Sequence, residues 1–332
     1  MSDTKDTQAD ATGLIVLVPV FDDWEAASLM LTSLDRELAA GGFSAEVILV
    51  DDGSTMDMPM ALKKSSFAAI TRVEVLALRR NLGHQRAIAV GLAFIEANRP
   101  CRAVVVMDGD GEDDPADVSR LVRACDANGG NKIIFAERLR RSENLSFRVF
   151  YYMYRWLHLV LTGIQVRVGN FSVVPAPALR RLVVVSELWN HFAAAVYKAR
   201  LPIGLLPTHR AQRLVGQSRM NLVALVGHGL SAMAVFGDRI GVRVLIAVAA
   251  VMGLVTAALF AVIGIRALTS LAIPGWATYV TGILLVILVQ MLLVALVFVF
   301  VVLAARDTAS VLPSRDYVFF VDHVQQLYDR AH

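Results

Sequence analysis

Residues 103–115 read AVVVMDGDGEDDP, an apolar run that ends in a dense group of acidic residues and glycines. A short apolar run bounded by turn residues is typical of a buried strand, so the pattern predicts a strand at residues 103–107. In open α/β sheets, ligands bind beyond the carboxyl ends of the strands. The stretch therefore predicts a buried sheet with a polar site at the edge where its strands end.

Outside this stretch, apolar runs alternate with segments of helical periodicity between residues 14 and 207. Such alternation is the pattern of a mostly parallel sheet flanked by helices, so we predict a Rossmann-like α/β domain over residues 14–218. Residues 1–13 are polar and lack the basic and apolar regions of a signal peptide, which predicts a disordered N-terminus. Further strands are predicted at residues 14–18, 46–50, 73–78 and 132–135, and helices at 24–40, 85–97 and 115–128.

Two other predicted strands also end in acidic residues, in VPVFDD at residues 18–23 and in VDDGST at residues 50–55. Three acidic groups at one sheet edge repel one another unless a cation or hydrogen-bond donors lie between them. Within residues 107–115, Asp108, Asp110 and Glu112 have the spacing to share a hard divalent cation that also binds phosphate oxygens. The predicted cofactor is therefore Mg²⁺ or Mn²⁺.

Five segments occur in order along the chain: VPVFDD (18–23), VDDGST (50–55), NLGHQRAIAVGL (81–92), MDGDGEDDP (107–115) and QRLVGQSR (212–219). Together they resemble the family-two glycosyltransferases of the GT-A fold, most of all the dolichol-phosphate mannose synthase and bacterial polyprenyl-phosphate glycosyltransferase branch. The resemblance implies a nucleotide-sugar donor, a polyprenyl-phosphate acceptor and inversion at the anomeric carbon. A UDP-sugar is favoured, and GDP-mannose is the second choice.

The resemblance also implies roles for individual residues. Catalysis falls on Asp108, Asp110 and Arg138, and the metal on Asp108, Asp110 and Glu112. Ser146 and Arg148 join Arg138 as contacts to the acceptor phosphate. The implied nucleotide-sugar contacts are Pro19, Phe21, Asp23, Leu49, Asp51, Asp108, Gly109, Asp110, Arg213 and Arg219.

Several of these positions depart from the family pattern. Phe21 replaces Tyr and Asp23 replaces Glu, while Gly109 and Glu112 stand where Ala and Gln are usual. Asn170 stands where the family has Asp, which would remove a general base. A phosphate monoester acceptor is already ionised near pH 7, because its second pKa is about 6, so no strong base is required.

Two uncharged stretches, residues 244–265 and 267–304, explain the mean hydropathy of +0.56. A spanning helix needs roughly 20 apolar residues, so we predict transmembrane helices at 242–266 and 276–305. Arg239 and Arg243 precede the first span and Arg306 follows the second, whereas only Arg266 lies near the turn between them. Excess basic charge marks the cytoplasmic side. We therefore expect an inner-membrane protein whose catalytic domain and both termini are cytoplasmic.

Segments beside the spans are predicted to contact membrane lipids. Residues 147–161 combine aromatic and basic residues, and residues 219–241 are apolar with few charges, so both suit interfacial helices. In the tail, residues 306–332, a short strand at 317–321 would pack on the domain or on a second copy in a homo-oligomer. The net charge of +3 is small and no nucleic-acid-binding motif is present, so nucleic acid is not an expected partner.

Two alternatives remain open from the sequence. A processive polysaccharide synthase shares the fold but requires a QxxRW motif, and the nearest string, residues 152–156, has Tyr where Gln belongs. A noncatalytic lipid-binding scaffold with a decayed transferase domain is favoured only by the substitutions at Gly109, Glu112 and Asn170.

Overall fold

The computed structural model describes residues 13–330 except 60–61, 63–65, 139–155, 157, 164–167, 210, 216–221, 270–274 and 308–310. The chain forms two compact units. The first contains Met1–Leu145, Val166–Val235 and Val311–His332, and the second contains Ser146–Gln165 and Phe236–Ser310.

The first unit is built on an eight-stranded mixed sheet with the order β7-β5-β6-β4-β1-β2-β3-β8. Strands β4, β1, β2 and β3 are parallel neighbours, and β5 and β7 are parallel to each other. Strand β6 is antiparallel to both β4 and β5, and β8 is antiparallel to β3. The strands are β1 Leu14–Val20, β2 Ala45–Asp51, β3 Ile70–Leu78, β4 Ala103–Val106, β5 Ile133–Arg138, β6 Ser172–Pro175, β7 Ile203–Thr208 and β8 Val321–Asp329.

Helices on both faces of this sheet confirm the predicted α/β class. Alternate residues of β1 point to opposite faces of the sheet. Ile15 and Leu17 pack with α2 (His84–Asn98), and Val16 and Val18 pack with α1 (Trp24–Gly41) and α3 (Pro115–Ala127). A strand buried on both faces is apolar throughout, which explains the uninterrupted run LIVLVPV. The helices of this unit are α1 Trp24–Gly41, α2 His84–Asn98, α3 Pro115–Ala127, α4 Ala176–Leu182, α5 Phe192–Lys198 and α6 Leu222–Ala234, together with a short helix at Pro313–Asp316.

The predicted strand at residues 317–321 is wrong. Residues Tyr317–Phe319 form a 3₁₀ turn, and the strand is Val321–Asp329. The apolar residues Tyr317 and Phe320 pack against the core instead, and the Phe320 ring lies 4.7 Å from that of Trp189. An edge strand has few buried side chains, so the polar sequence of β8 carries no strong apolar signal.

The second unit contains two long apolar helices, α7 Gly237–Leu268 and α8 Trp276–Asp307. By length and composition, Gly237–Leu268 and Trp276–Val301 could each cross a membrane, and almost none of their apolar surface is buried. Helix α7 begins before the span predicted at 242. Within the segment predicted as interfacial, 219–241, residues Leu222–Ala234 form α6 and the residues from Gly237 onward belong to α7.

A short helix in the second unit, residues 158–162, contacts the N-terminal part of α7. The Arg243 guanidinium donates to the carbonyl oxygen of Val160 at 2.6 Å, and the His158 ring meets that of Phe236 edge-on at 6.3 Å. His158 is buried, whereas Trp156 and Val160 are exposed. An apolar exposed side of this kind is consistent with the interfacial role predicted for residues 147–161, most of which lie outside the described residues.

Candidate active site

The candidate site lies at the sheet edge where β1, β2 and β4 end. Because β5 and β7 run in the same direction, their carboxyl ends reach the same edge, and antiparallel β6 begins there. The polar segments that follow or precede these strands therefore meet: residues 21–23, 51–55, 108–113, 168–171 and 211–215. This edge is the one predicted from the acidic strand ends.

Asp22 joins the turn after β1 to the turn after β2. Its Oδ1 accepts hydrogen bonds from the backbone N–H groups of Thr55 at 2.7 Å and Met56 at 2.9 Å, and its own N–H donates to Ser54 Oγ at 3.0 Å. Asp22 has a φ of +51°, a conformation that Asp tolerates better than most residues. These hydrogen bonds hold the backbone beside Phe21, which is 41% exposed, so its ring is accessible to an aromatic ligand.

Asp52 connects the β2 turn to the start of α2. Its carboxylate oxygens accept hydrogen bonds from Leu82 N at 2.7 Å and Gly83 N at 2.8 Å. Burial raises the pKa of Asp52, although these two backbone hydrogen bonds oppose that shift. Asp52 therefore holds the turn after β2 against the start of α2, and Asp51 accepts a hydrogen bond from Ser54 N at 2.8 Å within the turn.

We expect Gly53→Ala to destabilise the first unit by about 2–4 kcal/mol. Gly53 has a φ of +72°, and an added Cβ would lie 2.6 Å from Asn81 N and 2.7 Å from the Arg80 carbonyl carbon. Both neighbours are backbone atoms, which cannot move away as a flexible side chain could.

Thermal unfolding of the purified protein measures the loss of stability in Gly53→Ala, with Gly42→Ala as control. Gly42 also has a positive φ, but nothing lies within 4 Å of its added Cβ. Equal losses in the two variants would show that backbone strain alone is responsible.

The acidic loop after β4 contains the largest group of carboxylates at this edge among the described residues: Asp108, Asp110, Glu112 and Asp113. Asp110 Oδ1 accepts from Glu112 N at 3.0 Å, and Asp113 Oδ2 accepts from Asp108 N at 3.0 Å. Burial raises the pKa of Asp110, and the nearby charges of Asp108 and Glu112 raise it further. Gly109 packs tightly, since an added Cβ would lie 3.0 Å from Val18 Cγ1.

The carboxylates fit a cation that is shared with a ligand. Among the residues that the structure describes, no group of three or more His, Cys, Asp or Glu side chains is arranged to hold a metal. Mg²⁺ is usually bound through one or two carboxylates together with substrate phosphates, and it keeps several waters. Asp108 and Asp110, which are close enough for their charges to interact, offer two carboxylates of this kind.

Arg213 is the principal cation among the described residues of the site. Its Nη2 donates to Asp23 Oδ2, and its Nη1 lies 3.4 Å from Asp110 Oδ2. The backbone around it is also attached to the acidic loop: Ala211 N donates to Glu112 O at 3.1 Å and Leu214 N donates to Asp110 O at 3.0 Å. Arg213 is thus beside two of the carboxylates with which the sequence analysis grouped it.

A second polar group at the site was missed by sequence reasoning. Phe192 N donates to Gln85 Oε1 at 2.7 Å, Gln85 Nε2 donates to Asn170 Oδ1 at 3.0 Å, and Asn170 Nδ2 lies 2.9 Å from His84 Nε2. His84 Nε2 is 3.2 Å from Asp108 Oδ1. Burial alone would lower the pKa of His84, but the charge of Asp108 and the hydrogen bond to it outweigh burial and raise the pKa. The segment NLGHQ, residues 81–85, was recognised in the sequence, but no role was assigned to His84 or Gln85.

The remaining predicted site residues fall into three groups: two are buried, one lies at the sheet edge and three lie outside the described residues. Leu49 is fully buried in the core beside α1, so its side chain does not line the crevice and that assignment is wrong in this respect. Pro19 is likewise buried within β1. Arg138 ends β5 opposite Thr208, at the expected edge. Ser146, Arg148 and Arg219 lie outside the described residues.

The fold and the acidic strand ends define an α/β domain of the class that binds ligands beyond its strand ends. Residues 15–181 match the model of glycosyl transferase family 2, and the chain belongs to that family. An undecaprenyl-phosphate 4-deoxy-4-formamido-L-arabinose transferase of Klebsiella pneumoniae is 24% identical over 217 residues, 64% of this chain and 63% of that protein. The match thus spans less than two thirds of the relative.

Solved structures support the fold. A glucosyl-3-phosphoglycerate synthase from Mycobacterium tuberculosis, in complex with phosphoglyceric acid, is 19% identical, with a TM-score of 0.50 over 69% of this chain and 80% of that one. A mannosyl-3-phosphoglycerate synthase from Rubrobacter xylanophilus is 11% identical, with a TM-score of 0.50 over 69% of this chain and 74% of that one. These likenesses establish the GT-A arrangement of the sheet.

Proposed function

We propose that this glycosyltransferase moves a hexose from a nucleotide sugar to a polyprenyl phosphate, with inversion, at the cytoplasmic face of the inner membrane. The observation that carries the proposal is the meeting of the acidic loop 108–113 with the turns after β1 and β2, in a family-two chain that also has two helices long enough to span a bilayer. The Klebsiella relative is named for transfer to undecaprenyl phosphate, which supports the same acceptor class.

The donor would lie across the ends of β1 and β2. Phe21 offers an exposed ring for stacking on the base, and Asp51, at the end of β2, is in register with the preceding residue, Val20. Arg213 supplies a guanidinium for diphosphate oxygens, which it can bind in a bidentate manner. A UDP-sugar is the favoured donor, and GDP-mannose is the second choice.

The chain's own residues would orient the reacting groups. Mg²⁺ or Mn²⁺, held by Asp108 and Asp110, would neutralise the diphosphate leaving group when bound. Arg138, at the end of β5, would hold the acceptor phosphate. Asn170 cannot accept a proton as a carboxylate would. The acceptor phosphate, already ionised near pH 7, therefore acts as the nucleophile without a general base.

The membrane helices would attach the enzyme to the bilayer that contains its acceptor. Arg239 and Arg243 lie at the start of α7 and Arg306 near the end of α8, and this distribution of basic residues supports a cytoplasmic first unit. The lipid tail of the acceptor could then remain in the bilayer while its phosphate reaches the site. This arrangement requires no soluble carrier for the lipid.

Binding of donor nucleotides tests the donor half of the proposal. In thermal unfolding with Mn²⁺ or Mg²⁺, a specific ligand at 100 times its Kd stabilises by about 2.7 kcal/mol. We expect UDP to raise the unfolding temperature more than GDP does, and Phe21→Ala to remove most of that shift. Leu29→Ala, an exposed residue on α1, is the control and should keep the shift. No shift with any nucleotide, in either metal, would contradict the proposed donor site.

A further inference from the structure

Arg213 contacts two carboxylates that a divalent cation could also contact. Its guanidinium lies between the carboxylates of Asp23 and Asp110, which belong to the turn after β1 and the loop after β4. The Arg213 side chain is 17% exposed, and those of Asp110 and Asp23 are 21% and 28% exposed, so the three charges are largely shielded from water. Without Arg213, two carboxylates would face each other across a partly buried crevice.

The segment that carries Arg213 is fixed to the acidic loop by its backbone. In addition to the hydrogen bonds from Ala211 and Leu214, Arg213 Nε donates to Val215 O at 2.9 Å and so orients its own side chain. Leu214 packs against Gly111, where φ is +84° and an added Cβ would lie 2.4 Å from Leu214 Cγ. The contact therefore depends on a glycine within the acidic loop.

A cation at Asp110 and the Arg213 guanidinium compete for the same carboxylate. Asp110 Oδ1 already accepts from Glu112 N, and Oδ2 is the oxygen beside Arg213. A positive charge 3.4 Å away disfavours a second cation at that oxygen. A diphosphate offers Arg213 a stronger bidentate partner, and that partner would draw the guanidinium from Asp110.

We propose that Arg213 acts as the counter-ion of Asp23 and Asp110 in the nucleotide-free protein, so that a divalent cation binds Asp110 only when a diphosphate takes up the guanidinium. The inference rests on the proposed function and adds the order of binding to it. Metal and nucleotide then bind with positive coupling, and free Mn²⁺ alone binds weakly. The two contacts of Arg213 make it a positioning residue for the metal and a binding residue for the diphosphate.

Direct Mn²⁺ binding, followed by the EPR signal of free Mn²⁺ with the full-length protein in detergent, tests this proposal. In the absence of nucleotide we expect Arg213→Met and Arg213→Gln to bind Mn²⁺ about tenfold more tightly than the wild type. Asp110→Asn combined with Arg213→Met should lose that gain. Arg102→Met is the matched control, because Arg102 pairs with Asp126 at the opposite end of β4 and its loss should leave Mn²⁺ affinity unchanged.

The same variants should lose UDP affinity in the presence of Mn²⁺, because the diphosphate loses its guanidinium partner. Unchanged or weaker nucleotide-free Mn²⁺ binding by both Arg213 variants would overturn the proposal. This experiment also distinguishes a failure of the proposed competition from a failure of the proposed function. If the wild type binds Mn²⁺ with UDP but the Arg213 variants show no gain without UDP, only the competition is excluded. If the wild type binds neither UDP nor Mn²⁺, both ideas fail.

Discussion

Asp110→Asn is expected to reduce sugar transfer by about 100- to 1,000-fold, the range seen when a single group that stabilises transition-state charge is removed. Asn retains the shape of Asp and an oxygen that can accept from Glu112 N. It cannot supply the negative charge that a metal requires. Transfer of labelled sugar by purified protein, at saturating donor and with Mn²⁺ or Mg²⁺ present, measures the loss.

The same substitution should leave the fold intact. Burial and the neighbouring carboxylates raise the pKa of Asp110, so its charged form is disfavoured in the folded protein, and a neutral side chain should keep or slightly increase stability. Asp126→Asn, at the far end of the domain and exposed, is the control and should retain activity. Retained transfer by Asp110→Asn would exclude this carboxylate from the metal site.

A chain that ends at Ser310 is expected to lose about 5 kcal/mol or more of unfolding free energy, which is a large share of the 5–15 kcal/mol typical of a domain. The truncation removes all of β8, leaves the ladder of β3 unpaired on one side and deletes the Tyr328 ring that packs edge-on against Phe67 at 5.2 Å. It also removes Phe320 from Trp189 and Asp329 from Arg72. The truncated protein should unfold far below the wild type or aggregate.

Thermal unfolding of the full-length and truncated proteins in the same detergent measures this loss. His323→Ala is the matched control, because His323 lies on β8 with its side chain exposed, and the substitution should change stability by no more than about 0.5 kcal/mol. An unchanged unfolding temperature after truncation would show that β8 contributes little and that the first unit is complete without it.

The strands that lead to the site were predictable because they are buried on both faces. The apolar runs that begin at Leu14, Ala45 and Ala103 each end in polar residues, so sequence alone located both the strand and its functional end. Helix α3 was equally clear, since Asp114 caps it by accepting from Ala116 N and Pro115 occupies its first turn. Local signals of this kind require no knowledge of the tertiary structure.

Features that depend on distant parts of the chain were not predictable. Strand β8 pairs with β3 across about 250 residues of sequence, and its exposed, polar side chains do not show the pattern of a buried strand. The chain of hydrogen bonds from Phe192 to His84 joins residues from α5, α2 and the segment before β6. Its members are common polar residues whose roles follow only from their positions in the fold.

The role of Arg213 could be predicted only in part. Its segment was recognised by resemblance, and a diphosphate contact was implied, but the pairing with Asp23 and Asp110 required the β7 end and the β1 and β4 ends to meet at one sheet edge. Leu49 shows the opposite error: a position assigned to the ligand by resemblance is a core residue. Resemblance located the site, and packing determined which side chains within it are accessible.

The central claim is tested most directly by incubating the full-length protein in detergent with polyprenyl phosphate, a labelled nucleotide sugar and Mn²⁺ or Mg²⁺, and by identifying the lipid product. We expect one sugar per lipid, joined through the phosphate and inverted at the anomeric carbon, and no product when the metal is chelated. A sugar polymer, or no transfer from any UDP- or GDP-sugar tested, would contradict the account.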